Sequence, residues 1–157
     1  MSRKTYGYAR GPITGDYYEV ANADEQYFIA GGSAVKLDSD GKVELCIDSD
    51  DDIWGFALAP QSVAAGSSVT TYYNTVSGDK LYVLTSNDAV VSMPSDQNFT
   101  QNMISKRCDV TNGNKTTIQT VDTSDSTSGI LQIVGGIVGE KVVFVKMHDG
   151  VRSTESS

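Results

Sequence analysis

A nucleophile needs a base beside it, and the only histidine in the chain is His148, between Met147 and Asp149 and just before Gly150. That setting, at the end of an apolar run, predicts an exposed turn histidine rather than a catalytic base. No serine or cysteine stands in a nucleophile motif. The acidic run Asp48-Ser49-Asp50-Asp51-Asp52 carries the ligand chemistry that calcium and magnesium prefer. It lacks the alternating spacing, the turn glycine and the bidentate glutamate of a calcium loop, so it reads as an acidic turn between strands. Gly31-Gly32 and Gly135-Gly136 have neither the Lys-Ser/Thr of a phosphate loop nor a strand-to-helix setting, and they read as bulges or bends. Cys46 and Cys108 lack the short spacing of a zinc or redox pair and read as reduced core residues. The residues thus assign no catalytic group, no metal ligand and no cofactor.

Charge narrows the partners further. Twelve Lys and Arg face 20 Asp and Glu, a formal net charge of -8, which repels a phosphate backbone. Nucleic acid is not an expected partner. Lys106-Arg107 reads as a solvated charged pair. The opening Met1-Ser2-Arg3-Lys4-Thr5-Tyr6 continues into Tyr, Gly, Arg and Pro rather than an apolar core, so no secretion signal is expected. The longest apolar stretch, 130–138, contains Gln132 and two glycines and is too short for a membrane span.

The elements that would position any working group are strands. From residue 17 onward, short runs rich in Val, Ile, Thr and Tyr alternate with Gly, Asp, Asn and Ser, the period-two signature of an all-β chain. Runs 34–38 and 42–47 predict a hairpin with a three-residue loop Ser39-Asp40-Gly41. That register sets Leu37 opposite Val43 and Val35 opposite Leu45, with Gly41 left-handed. In 53–59, Trp54, Phe56 and Leu58 alternate with Gly55, Ala57 and Ala59. One face is bulky and predicted buried, Trp54 included; the other is small enough for a backbone to approach. Runs 69–74 and 80–85, joined through Ser77-Gly78-Asp79, and then 89–93 complete a set able to close a small barrel. Around Pro94 a connector with an N-cap at Ser95 predicts at most a short helix. Strands at 103–111, 116–122, 130–138 and 141–148 follow.

The expected organisation is therefore an N-terminal segment 1–16, a β-barrel-like domain 17–94, a connector 95–102, a strand-rich C-terminal segment 103–150 and a disordered tail 151–157. Gly7, Gly11, Pro12 and Gly15 resist regular structure, so the first segment reads either as an extended arm that orders on a neighbour or as a frayed terminus.

The features run in order from Val20-Ala21 through Gly31-Gly32, Val35-Lys36-Leu37, Asp40-Gly41-Lys42-Val43, Ile53-Trp54-Gly55-Phe56-Ala57 and Ala65-Gly66-Ser67-Ser68-Val69 to Gly78-Asp79-Lys80-Leu81-Tyr82-Val83. This order resembles that of the head decoration, or cement, proteins of tailed bacteriophages. Farther on, 102–110, 122–134 and the strand Val142 to Met147 echo a downstream β segment of that group. The resemblance implies a small β-barrel, β-tulip-like, with an appended β subdomain and an N-terminal arm. It implies a non-enzymatic structural protein of the virion that binds the outer surface of the major capsid protein lattice, is made in the host cytoplasm, and forms a homo-oligomer, trimer before dimer. It brings no catalytic residues and tips 1–15 toward a functional arm. Tyr6, Tyr8, Arg10, Tyr17 and Tyr18 are the expected contacts to capsid or to another copy, since tyrosine offers large contact area at low entropy cost and arginine pairs with carboxylates. Tyr72 and Tyr73 are adjacent in a strand, so one of them should face inward. Two rivals stand beside this reading: a virion-attached receptor- or carbohydrate-binding β module, which would need an exposed Trp54 to stack on sugar, and a small trimeric β enzyme of nucleotide metabolism, whose active site no residues here supply.

Overall fold

The computed structural model describes residues 7–21, 27–29, 33–47, 50, 52–58, 72–74, 80–111, 119–124 and 129–148, with 27–29 and 72–74 as backbone. The strands, in chain order, are β1 (Gly7–Arg10), β2 (Gly15–Glu19), β3 (Tyr27–Ile29), β4 (Ser33–Leu37), β5 (Val43–Leu45), β6 (Gly55–Leu58), β7 (Tyr72–Asn74), β8 (Lys80–Leu84), β9 (Val90–Pro94), β10 (Arg107–Val110), β11 (Val121–Asp122), β12 (Leu131–Gly136) and β13 (Val142–Met147). The one helical piece among the described residues is a single 3₁₀ turn, Gln101–Met103. The protein is all-β.

Two antiparallel sheets carry the fold. One has six strands in the order β1-β9-β13-β12-β10-β11, the other five in the order β2-β8-β6-β4-β5; β3 and β7 pair separately. The five-stranded sheet curls until its two edge strands meet, through a parallel bridge between Val20 and Val43 and the Ala21 N–H bonded to the Val43 carbonyl at 2.8 Å. This is a small barrel-like unit, as the alternation predicts. Successive residues of its strands serve opposite cores. Val20, Val35, Val43, Leu45, Ala57, Leu81 and Val83 fill the hollow of the curl. Ala34, Cys46, Phe56 and Leu84 point the other way and pack with Val91, Met93, Cys108, Ile133, Val143 and Val145 of the six-stranded sheet.

The hairpin of β4 and β5 forms in the expected register, with Val35 opposite Leu45 and Leu37 opposite Val43. Gly41 has φ +76°, and the Asp38 carboxylate accepts hydrogen bonds from the Asp40 and Lys42 amides, both at 2.9 Å. A side chain that satisfies two turn amides fixes the loop locally. The small face of β6 also behaves as expected: a Cβ at Gly55 would lie 2.2 Å from the Leu84 carbonyl oxygen. At Gly135, next to Gly136, the register of β12 on β13 shifts, the anticipated bulge.

Other expectations are corrected. Trp54 does not share a face with Phe56 and Leu58; it is half-buried against the inner core of the curl, while they pack in the core between the sheets. Regular alternation starts only at Gly55, where β6 begins, so parity cannot be carried back to residue 54. Ser95 caps no helix. It bridges Val121 and donates to the Gln97 carbonyl at 2.8 Å, while Thr100 precedes the 3₁₀ turn without a side-chain cap. Among the described residues β7 pairs with β3, not β8. The segment read as a barrel domain, 17–94, and the segment 103–150 share a sheet, because β9 lies between β1 and β13. Residues 7–16 lie on the chain's own strands: β1 on β9 and the start of β2 on β8. Tyr6, the glycine pair at 31–32 and the tail 151–157 lie outside the described residues, as do the side chains of Tyr72 and Tyr73.

One polar side chain is fully enclosed where the halves meet. The Gln119 amide oxygen accepts from the Ala34 N–H at 2.8 Å, and its nitrogen donates to the carbonyls of Ala34 at 3.1 Å and Cys46 at 3.0 Å. The side chain thus imitates a strand for β4, from 85 residues away. Replacing it by leucine removes three hydrogen bonds and leaves the Ala34 amide without this acceptor, so Gln119→Leu should cost about 2–4 kcal/mol. Urea unfolding should show one transition moved to lower denaturant for both sheets together; an unchanged midpoint would mean that the amide contributes nothing.

Candidate functional site

The acidic run supplies one described ion-pair centre. Lys36, on β4, places its ammonium 2.6 Å from Asp50 and 3.4 Å from Glu44, and the second Asp50 oxygen accepts from the Ile47 amide at 2.8 Å. Burial alone would lower the Lys36 pKa, but the hydrogen bond and charge of Asp50, followed by Glu44, outweigh it and hold the value above the ordinary one. The ammonium therefore stays charged and braces the turn after β5. Among the described residues no group of three or more His, Cys, Asp or Glu side chains is arranged to hold a metal ion. Nor is any helix there long and apolar enough to cross a membrane.

His148 is half-buried rather than exposed. Its backbone amide donates to Ile130 at 2.9 Å, continuing the pairing of β13 with β12. Arg107, read as part of a solvated pair, is half-buried and donates from Nε to the Gly129 carbonyl at 2.6 Å. Cys46 and Cys108 are both buried and unbridged. Burial pushes the Cys46 thiol well up, with the Asp50 carboxylate adding to it, so no reactive thiolate forms there.

What remains is a surface. Large apolar side chains are exposed at Tyr8 (45%), Ile13 (64%) and Tyr17 (66%), all on the segment that edges both sheets. The register of β2 on β8 sets Tyr17 opposite Tyr82, and their rings meet edge to face with centroids 5.2 Å apart. The Tyr82 hydroxyl donates to the Ile13 carbonyl at 2.7 Å, and the Tyr8 hydroxyl to the Gly11 carbonyl at 2.6 Å. These bonds hold exposed aromatic and aliphatic side chains on a backbone that is itself hydrogen-bonded to β9 in one sheet and β8 in the other. Rigid amphipathic rings of this kind lose little entropy when a partner covers them.

Of the residues expected to make contacts, the structure brings Tyr8, Arg10 and Tyr17 onto this exposed edge. Tyr18 belongs elsewhere. One residue along the strand it faces the other way and packs edge to face on Trp54, centroids 6.2 Å apart, against the inner core of the curl. Ile13 and Tyr82 join this surface unforeseen. Ile13 sits in a Pro-Ile-Thr-Gly stretch with no periodicity to orient it, and Tyr82 shows its role only once β8 is paired with β2. A second set of exposed apolar side chains, Ile104, Ile137 and Val138, lies on the turn after the 3₁₀ segment and between β12 and β13.

No family model matches the chain, and no curated protein matches it in sequence.

Both thiols should resist aromatic disulfide reagents in the native protein at mildly alkaline pH and react fully in denaturant. Because the folded Cys46 pKa is raised, its contribution to stability is complete below the unfolded thiol's value of about 8.5 and is lost as pH climbs toward the folded value. Denaturation midpoints should therefore begin to fall above that pH, and rapid native labelling of Cys46 would contradict its burial.

Proposed function

We propose that the chain is a decoration protein, a non-enzymatic binding module that seats on the outer face of a bacteriophage head and braces the major capsid protein lattice. The observation that carries this reading is the exposure of three large apolar side chains, Tyr8, Ile13 and Tyr17, on one short segment of chain: the apolar side chains offered to a partner are on the outside of the β body. The resemblance to phage head decoration proteins supplies the identity of the partner.

The physics of the role suits such a surface. Each copy needs only a modest contact, because identical contacts repeated over a lattice add up by avidity. A rigid barrel transmits load without rearranging. A strongly acidic body, net charge -8, disfavours the packaged nucleic acid as a competing partner.

The test is co-sedimentation with expanded, undecorated heads. The chain should associate with them and raise their melting temperature. Replacing Ile13 and Tyr17 together by serine should weaken binding at least about tenfold, while the thermal midpoint of the isolated protein falls by only a few degrees because both side chains are exposed. Failure of the unaltered chain to bind such heads would end the proposal, and binding of glycans by the same side chains would favour a carbohydrate-binding module in its place.

A further inference from the structure

The two sheets treat their cations differently. In the β4–β5 hairpin both lysines are paired, Lys36 with Asp50 and Glu44, and Lys42 with Glu19 at 3.8 Å. The six-stranded sheet holds cations that are not. Val91, Val145, Leu131 and Cys108 face its core, so by alternation Val90, Lys146, Gln132 and Arg107 face outward. Strand pairing sets these in one row across the sheet. Arg107 stands opposite Gln132, and Gln132 opposite Lys146; Lys146 lies one step beyond the pair of Val145 with Val91, which brings it beside Val90. On the far side of Val90 stands Arg10 of β1.

Arg107, Lys146 and Arg10 therefore occupy alternate strands of the order β10-β12-β13-β9-β1, with successive cations about 10 Å apart, two strand spacings. In a chain of net charge -8 carboxylates to pair them are plentiful, yet none forms an ion pair with a described residue. Arg10 is exposed; Lys146, Gln132 and Arg107 are half-buried. Arg107 is also aimed. Its Nε is spent on the Gly129 carbonyl at 2.6 Å, which leaves the two terminal amino groups of the guanidinium as a fork for a carboxylate. Phe144, two residues before Lys146 on the same face, lies against Gly135, where a Cβ would be 3.2 Å from its ring. Asp109 faces outward two residues beyond Arg107, but it stands opposite Asp122 and accepts from the Val110 amide at 2.9 Å.

We propose that this row is a docking line for an extended acidic segment of another protein, laid across the strands with a carboxylate at every third residue. An extended chain advances about 3.3 Å per residue, so three residues cover the roughly 10 Å between cations. Arg107 takes one carboxylate through its fork, Lys146 and Arg10 take the next two, and Gln132, between Arg107 and Lys146, offers its amide to the peptide backbone. Phe144 gives an apolar side chain of the segment a surface to rest on. Asp109 and Asp122 repel a second acidic chain, so the segment keeps to the row. The same two carboxylates and the acidic body disfavour a nucleic acid, whose charge extends well past three contacts. The inference rests on strand pairing and charge and stands apart from the capsid reading.

The probe is a fluorescein-labelled peptide with aspartate at every third position among serine and glycine, read by anisotropy against the full chain at low ionic strength. It should bind with a dissociation constant below about 100 μM. Arg10→Gln together with Lys146→Gln should weaken binding at least about tenfold, and Arg107→Lys at least about threefold, because an ammonium cannot fork. Lys80→Gln removes the same charge from an exposed position on the other sheet and should change binding less than about twofold. Thermal midpoints of all variants are measured alongside; Arg10→Gln alone, at an exposed side chain, keeps the test open should the double variant be unstable. No binding at about 1 mM peptide, a loss from Lys80→Gln equal to that from the double variant, or equally tight binding of an oligothymidylate of the same charge overturns the proposal.

Discussion

One fully buried amide, Gln119, hydrogen-bonds the C-terminal half of the chain to the curled sheet inside the core that both sheets share. Gln119 offers an acceptor and a donor to Ala34 and a second donor bond to Cys46, so the C-terminal half supplies what a neighbouring strand would otherwise give β4. Around it Phe56 and Leu84 of the curled sheet pack with Met93, Ile133 and Val145 of the other. Enclosed polar groups are costly unless fully satisfied, and here satisfaction requires both halves to be in place. That requirement adds a polar tie to the apolar core through which the two sheets already pack.

The same economy governs the edges. A curled sheet removes its own exposed flanks when they meet, and the Val20–Val43 bridge does this for β2 and β5. At the far end of the six-stranded sheet, β11 is met by Ser95, whose neighbour Asp96 donates its amide to Val121 and accepts from the Thr123 amide and hydroxyl at 3.0 and 2.8 Å. The start of the connector after Pro94 is thus an edge cover. Tyr8 lies on β1, the edge of the six-stranded sheet that neither device covers.

Strand content, the β4–β5 register and the close approach at Gly55 were legible in the sequence because each follows from local rules: period two, a turn glycine, a small face. What escaped was long-range. Nothing in the neighbourhood of Gln119 distinguishes it from a surface glutamine, and its partners lie 85 and 73 residues away. Composition marks the tyrosines as a class, but Tyr17 and Tyr18 differ only because β2 has a core on one face, where Tyr18 packs on Trp54. Alternation does not orient Trp54, which lies one residue before the start of β6. The place of β9 was hidden for a related reason: it follows β8 in sequence yet belongs to the other sheet, and crossing between sheets leaves no mark on hydropathy.

Strand order also governs how the molecule meets mechanical load. Tension applied at residue 7 across the strand direction falls on a flank strand and opens its hydrogen bonds singly, like a zipper, from β9 towards β8. The same tension applied along β13, which is paired on both sides by β9 and β12, loads two rows of bonds in shear. A tether at the amino end would therefore yield gradually under small forces, whereas an attachment through the middle of the six-stranded sheet would hold and then rupture all at once.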